Sequence, residues 1–327
     1  MSENGNVVDV WGRLWTQGVA HSFGGTDGLD GWRNSPLTEF WTHELPTKGP
    51  AHVLDLCTGN GVLLQTLVNL ATTEDVSGVG VDLATVSPQW LREAPERDLR
   101  RLAVISAVNI EALPFTKCAF DYVVSQFGVE YADLGKALIE AQRVLKPGGR
   151  FVGVIHHPSA RPVMVAHEEI QHIEWVLSQG LFDQASRMCA AMELLDSPSG
   201  LSRLNSEPQW RSIRGEFDAT YASLSNRIRA SAFADFLSDT QAAVRDAFRE
   251  AVAAGYEASV SRLRSFESGA VESRTRLLQM VSSAKTEAQV REALTVLPEL
   301  PSNIDVEPIV VNDVLLANCL RFSKAQS

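Results

Sequence analysis

Residues 53–64 read Val-Leu-Asp-Leu-Cys-Thr-Gly-Asn-Gly-Val-Leu-Leu, which predicts a buried strand, a glycine-containing turn and a helix. A turn of this kind brings backbone N–H groups and a helix N-terminus to a ligand, which favours a carboxylate or phosphate. The same pattern also fits an ordinary strand-to-helix connection in which glycine serves only the backbone conformation. The residues around the turn narrow the choice of ligand.

Two positions argue against a dinucleotide. The third glycine of the dinucleotide fingerprint would fall where this chain has Leu64. Asp55 lies just before the turn, where its charge would repel a pyrophosphate and attract an ammonium group. Asp82 ends the next predicted strand, where a carboxylate can accept two hydrogen bonds from a ribose diol. The pattern therefore indicates a ligand that carries both a ribose and a positive charge.

Two histidines are candidates for a general base that would take a proton from a bound molecule. His156 and His157 directly follow the fifth predicted strand, at the edge of the sheet where ligands bind in such folds. The alternative is that they cap this strand or hydrogen-bond the backbone. His167 and His172 are five positions apart, whereas a helical zinc motif needs four, so we predict no metal site there.

The four cysteines are far apart in the sequence, and no pair has the spacing of a zinc or redox motif. They are Cys57, Cys118, Cys189 and Cys319. We interpret them as reduced thiols in the core, and we predict no metal cofactor.

Short β-branched runs alternate with amphipathic stretches through the first half of the chain, which is typical of βαβ units and a parallel sheet. The five predicted strands are residues 52–56, 78–81, 102–106, 122–125 and 151–155. Helices are predicted over residues 61–71 and 134–145, the second capped by Asp133 and ended by a turn at residues 146–149. The strands should form one sheet with helices on its faces.

Residues 160–297 lack such runs and predict a helical block, with longer helices near residues 210–229, 232–256 and 260–282. One helix face should carry Leu181, Ala185, Met188, Met192 and Leu195, and a break should follow at residues 196–200. Strands return at residues 305–311 and 315–322, joined by a tight turn at residues 312–313. The helical block is therefore an insertion into an α/β domain.

Four linked segments now resemble the class I S-adenosylmethionine-dependent methyltransferases, especially the quinone-biosynthesis and small-molecule branch. The resemblance covers about residues 51–155. Its segments are the turn at 55–61, Gly80-Val81-Asp82, Glu111-Ala112-Leu113-Pro114-Phe115 with the strand at 120–125, and residues 143–151, Arg-Val-Leu-Lys-Pro-Gly-Gly-Arg-Phe. The resemblance implies a Rossmann-like α/β fold: a seven-stranded, mostly parallel sheet with a C-terminal antiparallel hairpin, and a large helical insertion between strands 5 and 6.

The resemblance also implies how S-adenosylmethionine is bound. The turn, with Asp55, Cys57, Gly59, Asn60 and Gly61, would hold the methionine part, and Asp55 would face its ammonium group. Cys57 departs from the family pattern, in which glycine is common at this position.

The ribose and adenine would be held by the ends of the following strands. Asp82 would bind the ribose hydroxyls, with Leu83 against the adenine. The adenine edge and the floor of the site would be formed by Asn109, Ile110, Ser125 and Gln126. Asn109 stands where an aspartate is more usual, but an asparagine can still accept a hydrogen bond from the adenine amino group.

The expected domains are an aromatic-rich helical cap at 1–50, the S-adenosylmethionine-binding core at 51–158, a helical insertion at 159–300 and the final hairpin of the core at 301–327. The insertion would act as a lid for substrate recognition or as an oligomer interface, and a homodimer is plausible. The aromatic residues of the cap would close the cavity or serve packing alone; they are Trp11, Trp15, Phe23, Trp32, Phe40 and Trp41.

Charge, composition and missing motifs limit the classes of substrate that we expect. The net charge of −11 and the absence of the usual base-methylation motifs disfavour nucleic acid as a partner. The N-terminal residues do not resemble a secretory signal, and no apolar run is long enough to span a membrane, so we expect a cytoplasmic protein. The expected function is methyl transfer to a small, hydrophobic or aromatic metabolite. A protein methyltransferase and a non-catalytic scaffold that binds S-adenosylmethionine are the alternatives.

Overall fold

The computed structural model describes residues 3–17, 19, 35–192 and 199–326. The chain forms two compact units, one of Met1–Met164 with Gln279–Ser327 and one of Val165–Leu278. Phe23, Trp32, Leu195 and the predicted break at residues 196–198 lie outside the described residues. The domain boundaries given above remain a prediction.

The described strands of the first unit form one seven-stranded sheet in the order β3-β2-β1-β4-β5-β7-β6. Strands β1 to β5 pair in parallel, whereas β7 is antiparallel to both β5 and β6. The strands are β1 Ala51–Leu56, β2 Val76–Val81, β3 Leu102–Ile105, β4 Phe120–Gln126, β5 Leu145–Ile155, β6 Ser302–Val311 and β7 Val314–Ser323. This order and these directions confirm the predicted fold class.

Helices connect these strands, and a long helical stretch separates β5 from β6. In chain order the described helices are α1 Glu3–Thr16, α2 Pro36–Glu44, α3 Val62–Leu70, α4 Gln89–Arg92, α5 Glu96–Leu99, α6 Leu134–Val144, α7 Arg161–Ser178, α8 Leu181–Met192, α9 Gly200–Ser206, α10 Pro208–Ala230, α11 Asp235–Ala254, α12 Tyr256–Ser283 and α13 Glu287–Leu294. A 3₁₀ turn, Val129–Tyr131, follows β4. The predicted cap of α6 is confirmed, because the Asp133 side chain accepts a hydrogen bond from the Lys136 backbone N–H.

Alternation along the central strands builds two cores, one on each face of the sheet. Leu54 and Val123 belong to a cluster that includes residues of α6 and α13. Their chain neighbours Val53 and Val124 belong to a second cluster that includes residues of α2 and α3. A parallel sheet must be covered in this way on both faces.

The turn predicted at residues 146–149 is wrong in part. Helix α6 does end at Val144, but residues 146–149 lie within β5 as a bulge, because Phe120 pairs with Leu145 and Tyr122 pairs with Arg150. Lys324 donates its backbone N–H to the Gly149 carbonyl at 2.9 Å and so keeps the bulge attached to the sheet. The sequence indicated that residues 146–149 end the helix, but it did not indicate that Lys324 binds this segment to the sheet.

The predicted hairpin turn is confirmed. Asn312 and Asp313 have φ of 49° and 62°, the two left-handed residues that a type I′ turn requires. Asn and Asp tolerate this conformation better than most residues, and the turn matches the twist of the flanking strands. The last two strands can therefore form the edge of the sheet as a hairpin.

The second unit is helical and has its own apolar core. The predicted face of α8 is confirmed as far as it is described, since Leu181 and Ala185 are fully buried in this core and Met188 and Met192 pack against it. Within the described parts of the chain, no helix is long and apolar enough to cross a membrane.

Candidate functional site

A cavity of about 650 Å³ opens in the first unit at the carboxyl ends of β1, β2 and β4. Its described lining includes eight of the predicted cofactor residues: Asp55, Cys57, Gly59, Asp82, Leu83, Asn109, Ile110 and Gln126. A volume of this size is within the range of small-molecule sites. Loops that follow parallel strands meet at this edge, which explains why residues far apart in the sequence share one cavity.

Asp55 is a buried carboxylate on the cavity wall. Only 2% of the residue is exposed, and the Thr58 hydroxyl donates to its Oδ2 at 2.6 Å. Burial raises the pKa of Asp55 to about 7, the Thr58 hydrogen bond opposes this shift, and the charge of Asp82 adds to it. A positively charged ligand would relieve this cost by pairing with the ionised form.

The turn between β1 and α3 depends on left-handed backbone conformations. Cys57, Gly59 and Gly61 have φ of 56°, 50° and 72°. A Cβ at Gly59 would lie 2.8 Å from the Trp15 ring, so glycine is required there for space as well as for conformation. Cys57 adopts the left-handed conformation without being glycine, which costs local strain.

Asp82 holds this turn from the end of the neighbouring strand. Its Oδ2 accepts the Gly59 backbone N–H at 2.9 Å, and its Oδ1 accepts the Ala84 backbone N–H at 2.8 Å. Burial raises the pKa of Asp82, while these backbone hydrogen bonds lower it. Each carboxylate oxygen has a second acceptor site, so a ligand diol can bind without displacing either bond.

The remaining predicted residues on the cavity wall are at the ends of the other strands. Ile110 is 3% exposed, whereas Leu83 is 49% exposed. The cavity wall is therefore closed to solvent at Ile110 and open to solvent at Leu83. The Asn109 side-chain oxygen accepts the Glu111 backbone N–H at 2.9 Å, which fixes its orientation. The Gln126 side-chain oxygen accepts a hydrogen bond from the Trp41 indole.

Three predicted residues do not line the cavity. The Asn60 amide donates to the Trp15 carbonyl at 3.0 Å, and Gly61 is the N-cap of helix α3. Ser125 is fully buried, and its hydroxyl donates to the Leu56 carbonyl at 3.0 Å. The Asn60 amide thus bonds the backbone of α1, and the Ser125 hydroxyl bonds the end of β1. Ligand contacts of these three residues stay a prediction.

Neither candidate base lines the cavity. His156 is fully buried, and its Nδ1 lies 2.7 Å from Oε1 of Glu130, which is also buried. The His156 backbone N–H donates to the same oxygen at 3.0 Å. His157 accepts a hydrogen bond from the Ser159 backbone N–H at 3.1 Å. The His157 contact matches the alternative of hydrogen bonding to the backbone, whereas the His156 imidazole contacts a buried carboxylate. A catalytic role for either histidine stays a prediction.

An aromatic wall completes the cavity. Trp11 and Trp15 of α1 stack with ring centroids 5.8 Å apart, and Tyr131 meets the Trp11 ring edge-to-face at 5.7 Å. The Trp11 indole N–H donates to the Gln279 side-chain oxygen at 2.7 Å. Trp11 and Trp15 were among the cap aromatics expected to close the cavity or to serve packing, but Tyr131 and Gln279 were missed. Only Tyr131 had a signal in the sequence, because it follows a strand at the edge of the sheet where ligands bind.

Of the other cap aromatics, Trp41 is fully buried in the core, and Phe40 packs against the cluster that contains Trp41.

The charged side chains on the described wall are acidic. They are Asp55, Asp82 and Glu111, and no Lys, Arg or His occurs among the described lining residues. Glu111 has a partner in Lys136, whose Nζ is 3.6 Å from its carboxylate. Asp55 and Asp82 thus leave a negative site beside the turn, which fits a ligand with an ammonium group, a sulfonium and a ribose.

Comparisons with known proteins agree with this geometry. Residues 53–149 match the family model of a methyltransferase domain. The ubiquinone/menaquinone biosynthesis C-methyltransferase of Rickettsia massiliae is 31% identical over 124 residues, which are 36% of this chain and 50% of that protein. This chain therefore spans about half the length of the curated relatives it matches.

Partial resemblances to solved structures are also found. The geranyl diphosphate C-methyltransferase of Streptomyces coelicolor A3(2) is 22% identical with a TM-score of 0.37, over 45% of this chain and 64% of that one. An S-adenosylmethionine-dependent methyltransferase of Mesorhizobium loti is 20% identical with a TM-score of 0.33, over 39% and 56%. Each match covers less than half of this chain and carries no argument about its substrate.

Proposed function

Residues 53–149 belong to the class I S-adenosylmethionine-dependent methyltransferases, and we propose that the whole chain transfers a methyl group from S-adenosylmethionine to a small, apolar or aromatic metabolite. The observation that carries this proposal is that one cavity is lined by two buried carboxylates beside a glycine turn and by aromatic side chains, of which Trp15 lies against that turn. The Rickettsia relative named above is a C-methyltransferase of ubiquinone/menaquinone biosynthesis, as its name states, and ubiquinone and menaquinone are small molecules.

The residues of the cavity supply complementary contacts for the cofactor. Asp55 would face the ammonium group, and Asp82 would accept from the ribose hydroxyls through its remaining acceptor sites. Leu83 and Ile110 would pack against the adenine, with Asn109 at its edge. The hydrogen bonds of Asp82 to Gly59 and Ala84 support this assignment, because they hold the carboxylate in place before any ligand arrives.

Methyl transfer depends more on the position of the acceptor atom than on acid–base catalysis. When bound, S-adenosylmethionine supplies an electrophilic methyl group on a sulfonium. The chain must hold the acceptor atom in line with that carbon and exclude water, and such positioning contributes roughly 7 to 11 kcal/mol. Trp11, Trp15 and Tyr131 provide an apolar surface for this purpose. A proton that the acceptor loses would pass to bulk solvent when the product leaves the cavity.

Calorimetric titration of the purified protein with S-adenosylmethionine and S-adenosylhomocysteine tests the cofactor site, after removal of any co-purified ligand. We expect micromolar binding of both. Labelled S-adenosylmethionine and a metabolite extract then test transfer, with label expected in an organic-soluble small molecule. Failure of both ligands to bind would overturn the proposal. Binding without any labelled product would instead favour a non-catalytic scaffold, and label in protein would favour a protein methyltransferase.

Cofactor affinity should also depend on pH through Asp55. The pKa of this carboxyl is raised from 3.8 to about 7, so below pH 7 it is mostly protonated and attracts an ammonium group poorly. We expect the affinity for S-adenosylhomocysteine to rise about tenfold between pH 6 and pH 8, as the ionised fraction rises. The same shift makes folding of the ligand-free protein less favourable as pH rises between these two pKa values, because the native state retains the proton that the unfolded chain has lost.

The matched variant for this experiment is Asp55→Asn, which keeps the shape of the side chain and removes its titration. Its affinity should be lower at pH 8 and nearly independent of pH. A wild-type profile that is flat between pH 6 and pH 8 would show that Asp55 does not titrate on binding. The helical insertion at 159–300 stays a prediction, either as a lid or as an interface.

A further inference from the structure

The side chains of Cys118 and Lys324 are in contact in the first unit, at the edge of the sheet opposite the cavity. Cys118 precedes the amino end of β4, whereas the cavity opens at the carboxyl end of this strand. The Cys118 Sγ is 3.6 Å from the Lys324 Nζ, and the two residues are 206 positions apart in the sequence. A bond between these two atoms would therefore join distant parts of the chain.

Hydrogen bonds hold both residues in place. The Lys324 Nζ donates to the Leu145 carbonyl at 2.9 Å and to the Arg143 carbonyl at 3.5 Å. The Cys118 backbone N–H donates to the same Arg143 carbonyl at 3.1 Å. Among the described residues, the hydrogen-bond partners of Nζ are these two carbonyls and the thiol, and none is a carboxylate. Cys118 is therefore the side chain to which the described structure pairs the Lys324 ammonium.

The other three cysteines are less suited to oxidation. Burial raises the pKa of Cys57, Cys189 and Cys319, so their thiols stay protonated at neutral pH. The thiolate is the reactive form, and reactive cysteines lie in partly exposed, electropositive surroundings. Cys118 has such surroundings, because the residue is partly exposed and has an ammonium group beside its sulfur. An oxidant should therefore react first at Cys118.

We propose that Cys118 and Lys324 form a modification site, at which hydrogen peroxide joins Sγ to Nζ by a covalent bond. The Cys118 thiolate first attacks the peroxide: a sulfur–oxygen bond forms, the oxygen–oxygen bond breaks, and the hydroxide that leaves takes a proton from the Lys324 ammonium. The resulting amine attacks the sulfenic acid, because such acids condense with nitrogen. A sulfur–nitrogen bond forms, the sulfur–oxygen bond breaks, and the leaving hydroxide takes a second proton from the nitrogen. The sulfur loses two electrons, the peroxide becomes two molecules of water, and no proton is gained or lost overall.

Only side chains need to move for this bond to form. The Lys324 backbone N–H donates to the Gly149 carbonyl at 2.9 Å, and the Lys324 carbonyl accepts the Gly148 N–H at 3.0 Å. The lysine stem is long and flexible, so Nζ can close the remaining distance to Sγ. The cross-link spans 206 positions, and a link around so long a loop stabilises the native state by restricting the unfolded chain.

Treatment of the reduced protein with hydrogen peroxide tests this site. Remaining thiols are then alkylated, the protein is digested, and the peptides are analysed by mass spectrometry. We expect the peptides that contain Cys118 and Lys324 to be joined, with a combined mass that lacks two hydrogen atoms. The melting temperature should rise by several degrees relative to a Lys324→Arg protein treated in the same way, and a thiol reductant should reverse the rise.

Two variants show whether the lysine amine is required. Lys324→Arg keeps the positive charge and removes the amine, so it should form no cross-link and its Cys118 should proceed to sulfinic acid. The matched control is Lys146→Arg, because Lys146 pairs with Asp121 at 2.8 Å and not with a thiol. It should form the cross-link as wild type does.

Three results for the wild-type protein would overturn the proposal. These are Cys118 that remains a free thiol after treatment, Cys118 recovered only as sulfinic or sulfonic acid, and Cys118 joined to other lysines as often as to Lys324. A Cys118–Lys324 link with one added oxygen atom would support the same site, because a second molecule of peroxide can oxidise the linked pair and leave water. None of these results depends on the folding of a variant.

Discussion

Glu130→Ala is expected to lower the free energy of unfolding by about 2–6 kcal/mol, because it leaves two buried hydrogen-bond donors without an acceptor, at about 1–3 kcal/mol each. The Glu130 and His156 side chains are both fully buried. One carboxylate oxygen accepts from the imidazole at 2.7 Å and from the His156 backbone N–H at 3.0 Å. The variant leaves both of these groups without the acceptor they have in the native core. Urea unfolding followed by circular dichroism measures the loss.

An exposed pair provides the control for this measurement. Glu96 lies 2.6 Å from Arg100, but the two side chains are 79% and 74% exposed. Glu96→Ala should therefore change stability by at most about 1 kcal/mol. A similar loss of stability in Glu130→Ala and Glu96→Ala would contradict the expectation that burial increases the effect of the substitution. The double variant Glu130→Ala with His156→Ala should lose less than the sum of the single variants, because the two residues act together.

Asp82→Ala should weaken S-adenosylhomocysteine binding by roughly 10- to 150-fold, equivalent to about 1.5–3 kcal/mol. Two losses combine in this variant. The ribose would lose its acceptor, and the Gly59 and Ala84 N–H groups would lose the carboxylate that orders the turn. Calorimetric titration measures the affinity, and Asp82→Asn, which keeps the shape but removes the charge, should give an intermediate value.

Asp98→Ala is the matched control, because Asp98 is also a buried acid and pairs with Arg101 at 2.6 Å, outside the described cavity. It should reduce stability and leave ligand affinity unchanged. An Asp82→Ala protein that binds S-adenosylhomocysteine as tightly as wild type would remove the ribose assignment.

The sequence was sufficient for the sheet because each strand and turn carried a local signal. The left-handed conformations of Asn312 and Asp313 could be expected from their residue types. The helix cap at Asp133 could be expected because this residue precedes an amphipathic stretch. The bulge at residues 146–149 could not be expected, because it depends on a backbone partner, Lys324, that directly follows the last strand.

Asp55 and Asp82 of the cavity could be predicted from their residue type, because each is an acidic residue at the carboxyl end of a strand. Other residues of its wall, such as Asn109, were predicted through the resemblance to known methyltransferases. Asn60 and Ser125 lie in the same motifs, yet their polar groups point to nearby backbone, and spacing alone does not distinguish the two orientations. Gln279 directly follows the second unit in the sequence and is 268 residues from Trp11, so only the folded chain brings the two together.

The insertion between β5 and β6 also sets the order in which the sheet can be completed. Phe151 of β5 pairs with Phe322 of β7, so this contact closes a loop of roughly 170 residues, whereas β6 and β7 meet through a two-residue turn. Non-local pairings of this kind form slowly. During synthesis β5 remains an unpaired sheet edge until the final hairpin emerges, and such an edge is prone to intermolecular pairing. Truncation before β6 should therefore yield a chain that aggregates through that edge.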